Sequence, residues 1–150
     1  MRFRKVDVKS GAFSFGERIE IGHIMTSEDD PYVKAVFVFK TLHGFRPNWL
    51  AVQLLNRYIL SIFEGLKYWL EAEKNLKYTP TPEEAEAGIE DFSKKIGEVG
   101  TVTELAEKFG KDPDVILRWD YAKVYGIMYA ALEKYKFQKK VQKIVERQNG

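Results

Sequence analysis

Residues 101–147 read TVTELAEKFG (101–110), KDPD (111–114) and VILRWDYAKVYGIMYAALEKYKFQKKVQKIVER (115–147). Thr101 and Glu104 have the spacing of a capping box, in which a hydroxyl and a carboxylate each satisfy a free backbone N–H at a helix start. Val102, Leu105, Ala106 and Phe109 then fall on one helical face, and Gly110 is a stop signal. Asp112 and Pro113 restart the chain as a cap and a first helical residue. Asp120 offers a further restart after Trp119, where the last helix is expected either to kink or to break. Tyr121, Val124, Met128, Leu132 and Tyr135 continue the apolar stripe. Beyond it the chain turns basic: Lys134, Lys136, Lys139, Lys140, Lys143 and Arg147 stand against Glu133 and Glu146 alone.

Working back from this stretch, Thr81-Pro82-Glu83-Glu84 is another cap. It opens a helix presenting Ala85, Ile89, Phe92 and Ile96, with an acidic outer face of Glu83, Glu84, Glu86, Glu90 and Asp91 and a stop at Gly97 or Gly100. From Trp49 the apolar positions Val52, Leu55, Ile59, Ile62, Leu66 and Trp69 advance by three and four residues, which predicts one long helix to about Lys77, capped by Asn48. Asp30 and Pro31 cap the ambiguous run YVKAVFVFKTLHG (32–44), whose β-branched residues suit a strand and whose cap suits a helix; the cap, being a mechanism, decides for helix. In residues 1–25, Val6 and Val8, Phe13 and Phe15, and Ile19 and Ile21 alternate between glycines and predict a β-hairpin. The expected fold is therefore α+β in one domain over 1–150: a small N-terminal hairpin (1–25), a helical pair (30–78) and C-terminal helices (81–147).

Composition narrows the function. The 45% apolar and 31% charged residues are those of a globular chain rather than a disordered one. The absence of cysteine removes disulfides, thiolate catalysis and cysteine-bound metals. No apolar run reaches the roughly 18 residues a membrane span needs. The start, MRFRKVDVK, lacks the apolar centre of a signal peptide, so a cytoplasmic protein without a membrane role is expected.

Catalytic and cofactor motifs are missing. His23 and His43 belong to no metal-binding or general-base spacing, Asp29-Asp30 and Asp112–Asp114 read as helix caps, and the glycines follow no phosphate-loop pattern. We expect no enzyme, no cofactor and no metal site. ELAEKFGKDPDVILRW (104–119) has the outline of a helix-turn-helix, which makes a nucleic-acid binder using the 101–119 region the alternative reading. Against it, the second helix begins with Asp112 and Asp114, which repel phosphates, and lacks base-reading Arg, Asn or Gln at its start.

Two further segments carry a family resemblance. FSFGERIEIGHI (13–24) and AGIEDFSKKIGEVGTVTELAEKFGKDPDVILRWDYAKVYGIMYAALEKYKFQKK (87–140) resemble the early and C-terminal parts of phage tail assembly chaperones. The resemblance implies a non-enzymatic protein that binds a long tape-measure-like client, or another phage structural protein, in the host cytoplasm. On the residues themselves, the last helix has more aromatic surface than one face can bury, followed by a basic end. That places the expected partner site at Tyr125, Tyr129, Lys136, Phe137, Lys140 and Lys143, with a homo-oligomer also compatible.

Overall fold

The computed structural model describes residues 3–150. Among them the fold is all-helical: α1 (Phe15–Thr26), α2 (Pro31–His43), α3 (Trp49–Leu54), α4 (Asn56–Glu73), α5 (Pro82–Glu86), α6 (Ile89–Phe109), α7 (Pro113–Leu117) and α8 (Tyr121–Asn149), with short 3-10 turns at Val8–Ser10 and Lys74–Leu76. This corrects the α+β expectation. No strand is present among the described residues, and the 1–25 region is a 3-10 turn followed by a twelve-residue helix. Met1 and Arg2 of that region lie outside the described residues.

The reason is local. The Ser14 side chain accepts from the Glu17 backbone N–H at 3.1 Å and so caps α1. Ile21 is fully buried, with Ile24 and Met25 packed beside the core. Only one β-bridge forms among the described residues, joining Ser14 antiparallel to Asp120. There Phe15 N–H donates to Trp119 O (2.9 Å) and Tyr121 N–H to Phe13 O (2.7 Å). The backbone before α1 is thus pinned to the backbone before α8.

The other caps form as the chain suggests. Asp30 accepts from Tyr32 and Val33 N–H, Asn48 from Ala51 N–H, and Asp112 from Asp114 N–H. Thr81 and Glu84 complete a reciprocal capping box. Two expectations change. The long helix from Trp49 breaks at Leu55 into α3 and α4. Thr101 and Glu104 make no capping box, because α6 already runs through them. The interruption lies at Gly97 (φ 45°, ψ −135°), one of the two stop positions the sequence offers, in a backbone conformation open only to glycine. The break before α8 is complete, with Asp120 as the residue preceding it.

The core lies between α1, α2, α4 and the first turns of α8, closed by the second half of α6 and by α7. Val8, Ile21, Val38, Phe39, Ile62, Ile116 and Val124 are fully enclosed in it. The segment 8–11 threads between α4 and α8. A Cβ on Gly65 would sit 2.8 Å from Val8 Cβ and Lys9 N, and one on Gly11 would sit 2.6 Å from Ala122 Cβ. Trp69 Nε1 donates to Val8 O at 2.7 Å in the same seam. Close backbone approach, not a sheet, secures the N-terminus.

Candidate protein-interaction surface

Two polar clusters fix the direction of α8. Arg18 donates through Nε and Nη2 to both Glu73 oxygens (2.7 Å each), and the Tyr121 hydroxyl donates to Glu73 Oε1 (2.5 Å). Burial, then the Glu73 carboxylate, push the Tyr121 hydroxyl up, so it remains a donor. Further along, Tyr135 and Tyr78 hydroxyls each donate to Glu84 at 2.6 Å. Those two hydrogen bonds, with Thr81 N–H as a third, hold the Glu84 carboxyl down at about 2. The first cluster ties α8 to α1 and α4; the second ties it to α5.

Past Tyr135 the helix leaves the body. Every residue from Lys140 to Gly150 is exposed. Phe137 (66% exposed), Val141, Ile144 and Val145 are uncovered apolar side chains. Steps of four and three put Phe137, Val141 and Ile144 in one row. Lys136, Lys140, Lys143 and Arg147 repeat with the same period and run alongside it. Lys136, Lys139, Lys140 and Lys143 line a recess of about 220 Å³ with Tyr78 and Thr81. Among the described residues, the only carboxylate ion-paired with this row is Glu133, to Lys136 at 3.5 Å.

The expected partner residues therefore divide. Tyr125 belongs to the fold: its ring packs on Trp69 (5.3 Å) and its hydroxyl donates to Ala72 O (2.8 Å). Tyr129 is half-exposed and stacks on Tyr125 at 6.1 Å. Lys136, Phe137, Lys140 and Lys143 gather on the projecting half of α8. Val141, Ile144 and Val145 belong with them and were missed, although their four-and-three spacing from Phe137 is readable in the sequence. A second uncovered patch was also missed: Trp49 (65% exposed), Leu50 and Leu54 on α3, with Tyr32 against Trp49 at 5.4 Å. The break at Leu55, which carries no sequence signal, turns these residues away from the α4 stripe.

The two histidines take structural positions. His43 packs against Phe3, Phe39 and Phe45, and burial lowers its pKa. Val6 N–H donates to the Tyr58 oxygen (2.9 Å), and the Tyr58 hydroxyl shares a hydrogen bond with His43 Nε2 (2.6 Å). His23 meets Glu98 at 3.1 Å on the open surface, outside any enclosed recess. Among the described residues no group of three or more His, Asp or Glu side chains is placed to hold a metal. The presumed reading helix of the helix-turn-helix, α7, is only five residues long. Its Ile116 is buried, and Asp112 and Asp114 stand exposed at its start. That geometry offers a DNA groove carboxylates rather than readers.

No helix among the described residues is long and apolar enough to cross a membrane. Compared with protein-family models, with curated proteins and with solved structures, the chain matches none.

Proposed function

We propose that this protein is a non-enzymatic assembly chaperone of the phage-tail type, acting in the host cytoplasm. The projecting half of α8 holds a helical stretch of a long tape-measure-like client. The observation that carries this reading is the uncovered row Phe137, Val141 and Ile144, flanked by Lys136, Lys140, Lys143 and Arg147. A row of this spacing accepts the apolar stripe of another helix, and its cationic border selects a stripe edged by carboxylates. The client chemistry is thus an acidic amphipathic helix. Holding such a helix keeps its apolar stripe out of water until assembly removes it.

The test is titration of a labelled amphipathic helix with a Leu stripe edged by Glu, beside the same helix edged by Lys. The Glu-edged probe should bind and the Lys-edged probe should not. The full chain should also co-purify with a co-expressed tape-measure-like protein through the same surface. Equal binding of both probes, or binding to anionic vesicles in place of either, would overturn the reading.

A further inference from the structure

Where α8 leaves the body, it forms a recess with the turn before α5. Lys136, Lys139, Lys140 and Lys143 make one wall and Tyr78, Thr79 and Thr81 the other, around a volume of about 220 Å³. Positions i, i+3, i+4 and i+7 share one helix face, so all four lysines turn to the same space. The apolar row Phe137, Val141 and Ile144 lies roughly a third of a turn round α8 from this face.

Both walls are held in place. Tyr78 and Tyr135 donate to the same Glu84 carboxylate at 2.6 Å, and their rings pack edge to face at 5.4 Å. Pro80 and Pro82 fix φ on either side of Thr81, which stiffens the opposite wall. Lys139 lies over the Tyr135 ring (5.4 Å) and, like Lys136, is half-buried. Thr81 Oγ1 accepts from Glu84 N–H (3.2 Å) and keeps its own proton to donate.

The charge is one-sided. No carboxylate lines the recess. Two stand next to it: Glu133 meets Lys136 at 3.5 Å, and Glu84 already accepts from two tyrosine hydroxyls and Thr81 N–H. Four lysines against these two carboxylates leave the site positive. Among the described residues Lys139, Lys140 and Lys143 make no ion pair. Like charges at these spacings repel along a helix, and an anion shared between them relieves the repulsion.

A cationic wall facing hydroxyl donors fits an anion with several oxygens and more than one charge, held by charge-assisted hydrogen bonds. Size selects further. Pockets that enclose drug-sized ligands run from roughly 300 to 1,000 Å³, so this recess takes a small ion and no attached nucleoside. We infer that the recess binds a small anion of two or more linked phosphate groups, of the inorganic pyrophosphate kind. The inference goes beyond the client reading. It adds Lys139, Thr79 and Thr81, and it shares Lys136, Lys140 and Lys143 with the border of the apolar row. A bound anion therefore competes with the carboxylates that edge a client.

The experiment titrates the full chain with pyrophosphate by isothermal calorimetry at low and high salt, beside sulfate as an anion of one group. One pyrophosphate per chain should bind, about tenfold tighter than sulfate or more, and more weakly at high salt. Lys139→Gln/Lys143→Gln should weaken binding by about tenfold or more. Lys67→Gln/Lys111→Gln removes the same charge at exposed positions outside the recess and should bind as the parent does. Equal losses in the two double variants would reduce the effect to net charge and overturn the site, as would pyrophosphate binding no tighter than sulfate. A single-stranded oligonucleotide or phosphatidylserine vesicles that need Lys139 and Lys143, and that pyrophosphate does not displace, would overturn it too. Unchanged circular dichroism in both double variants excludes misfolding as the cause. Phe137→Ser keeps all four lysines and should take pyrophosphate undiminished. If pyrophosphate binds while the parent never holds the Glu-edged helix, the client reading fails and the recess stands. If the helix binds and pyrophosphate does not, the recess proposal fails and the client reading stands.

Discussion

At the scale of single residues, the fold depends on a few polar side chains with many partners. Glu73 is one carboxylate serving three donors on two helices, Arg18 Nε and Nη2 and the Tyr121 hydroxyl. Both ion-pair side chains are largely enclosed, at 16% and 23% exposure. Removing the carboxylate strands a guanidinium beside the core. Glu73→Ala should cost about 2–3 kcal/mol in chemical denaturation. His43 supplies a pH dependence. Burial lowers its folded pKa below the ordinary 6.5. The unfolded chain therefore binds the proton more readily. The contribution is complete above the ordinary value and is lost as pH falls through the folded one. Between about pH 7.5 and about pH 5.5 the parent chain should lose more stability than His43→Gln. Equal losses would remove His43 as the cause.

At the scale of elements, the packing seam around residues 8–11 does the work that a hairpin was expected to do. Gly65→Ala puts a methyl group into the Val8 side chain and the Lys9 backbone and should destabilise the protein by roughly 1–3 kcal/mol, seen as a lower thermal midpoint. A Trp69→Phe change removes the donor to Val8 O and should cost about 1–2 kcal/mol by the same measurement. Helix starts were readable where a side chain caps the backbone by a local mechanism: Asp30, Asn48, Thr81 and Asp112 all behave as their sequence context requires. The N-terminal misreading came from weighing alternation over the cap. Phe13/Phe15 and Ile19/Ile21 look like strand pairs, yet Ser14-Phe15-Gly16-Glu17 is a helix-start spacing, and Ser14 does cap. Thr101 erred the other way: its spacing is right, but the helix resumes straight after the interruption at Gly97 and is already in progress at Thr101. Seams such as Gly11 against Ala122 join residues distant in sequence and leave no periodic trace.

At the scale of the molecule, the chain is a helical body with one arm. The 29 residues of α8 span about 43 Å at about 1.5 Å per residue. Its first turns are core and its end is surface. The sequence singles out Lys136, Phe137, Lys140 and Lys143 because charge and aromatic content change there. It placed Tyr125 in the same set because an aromatic row cannot say which of its members a distant Trp69 will cover. Since Phe137 and every residue from Lys140 onward are exposed, altering Phe137 should leave the body intact. Phe137→Asp should melt within about 1 kcal/mol of the parent.

The most direct test of the α8 client surface is the affinity of Phe137→Asp for the Glu-edged amphipathic helix, measured by fluorescence anisotropy beside the parent chain. The account predicts an unchanged fold and binding weakened by about tenfold or more. Parent-like binding by a folded Phe137→Asp protein would contradict it.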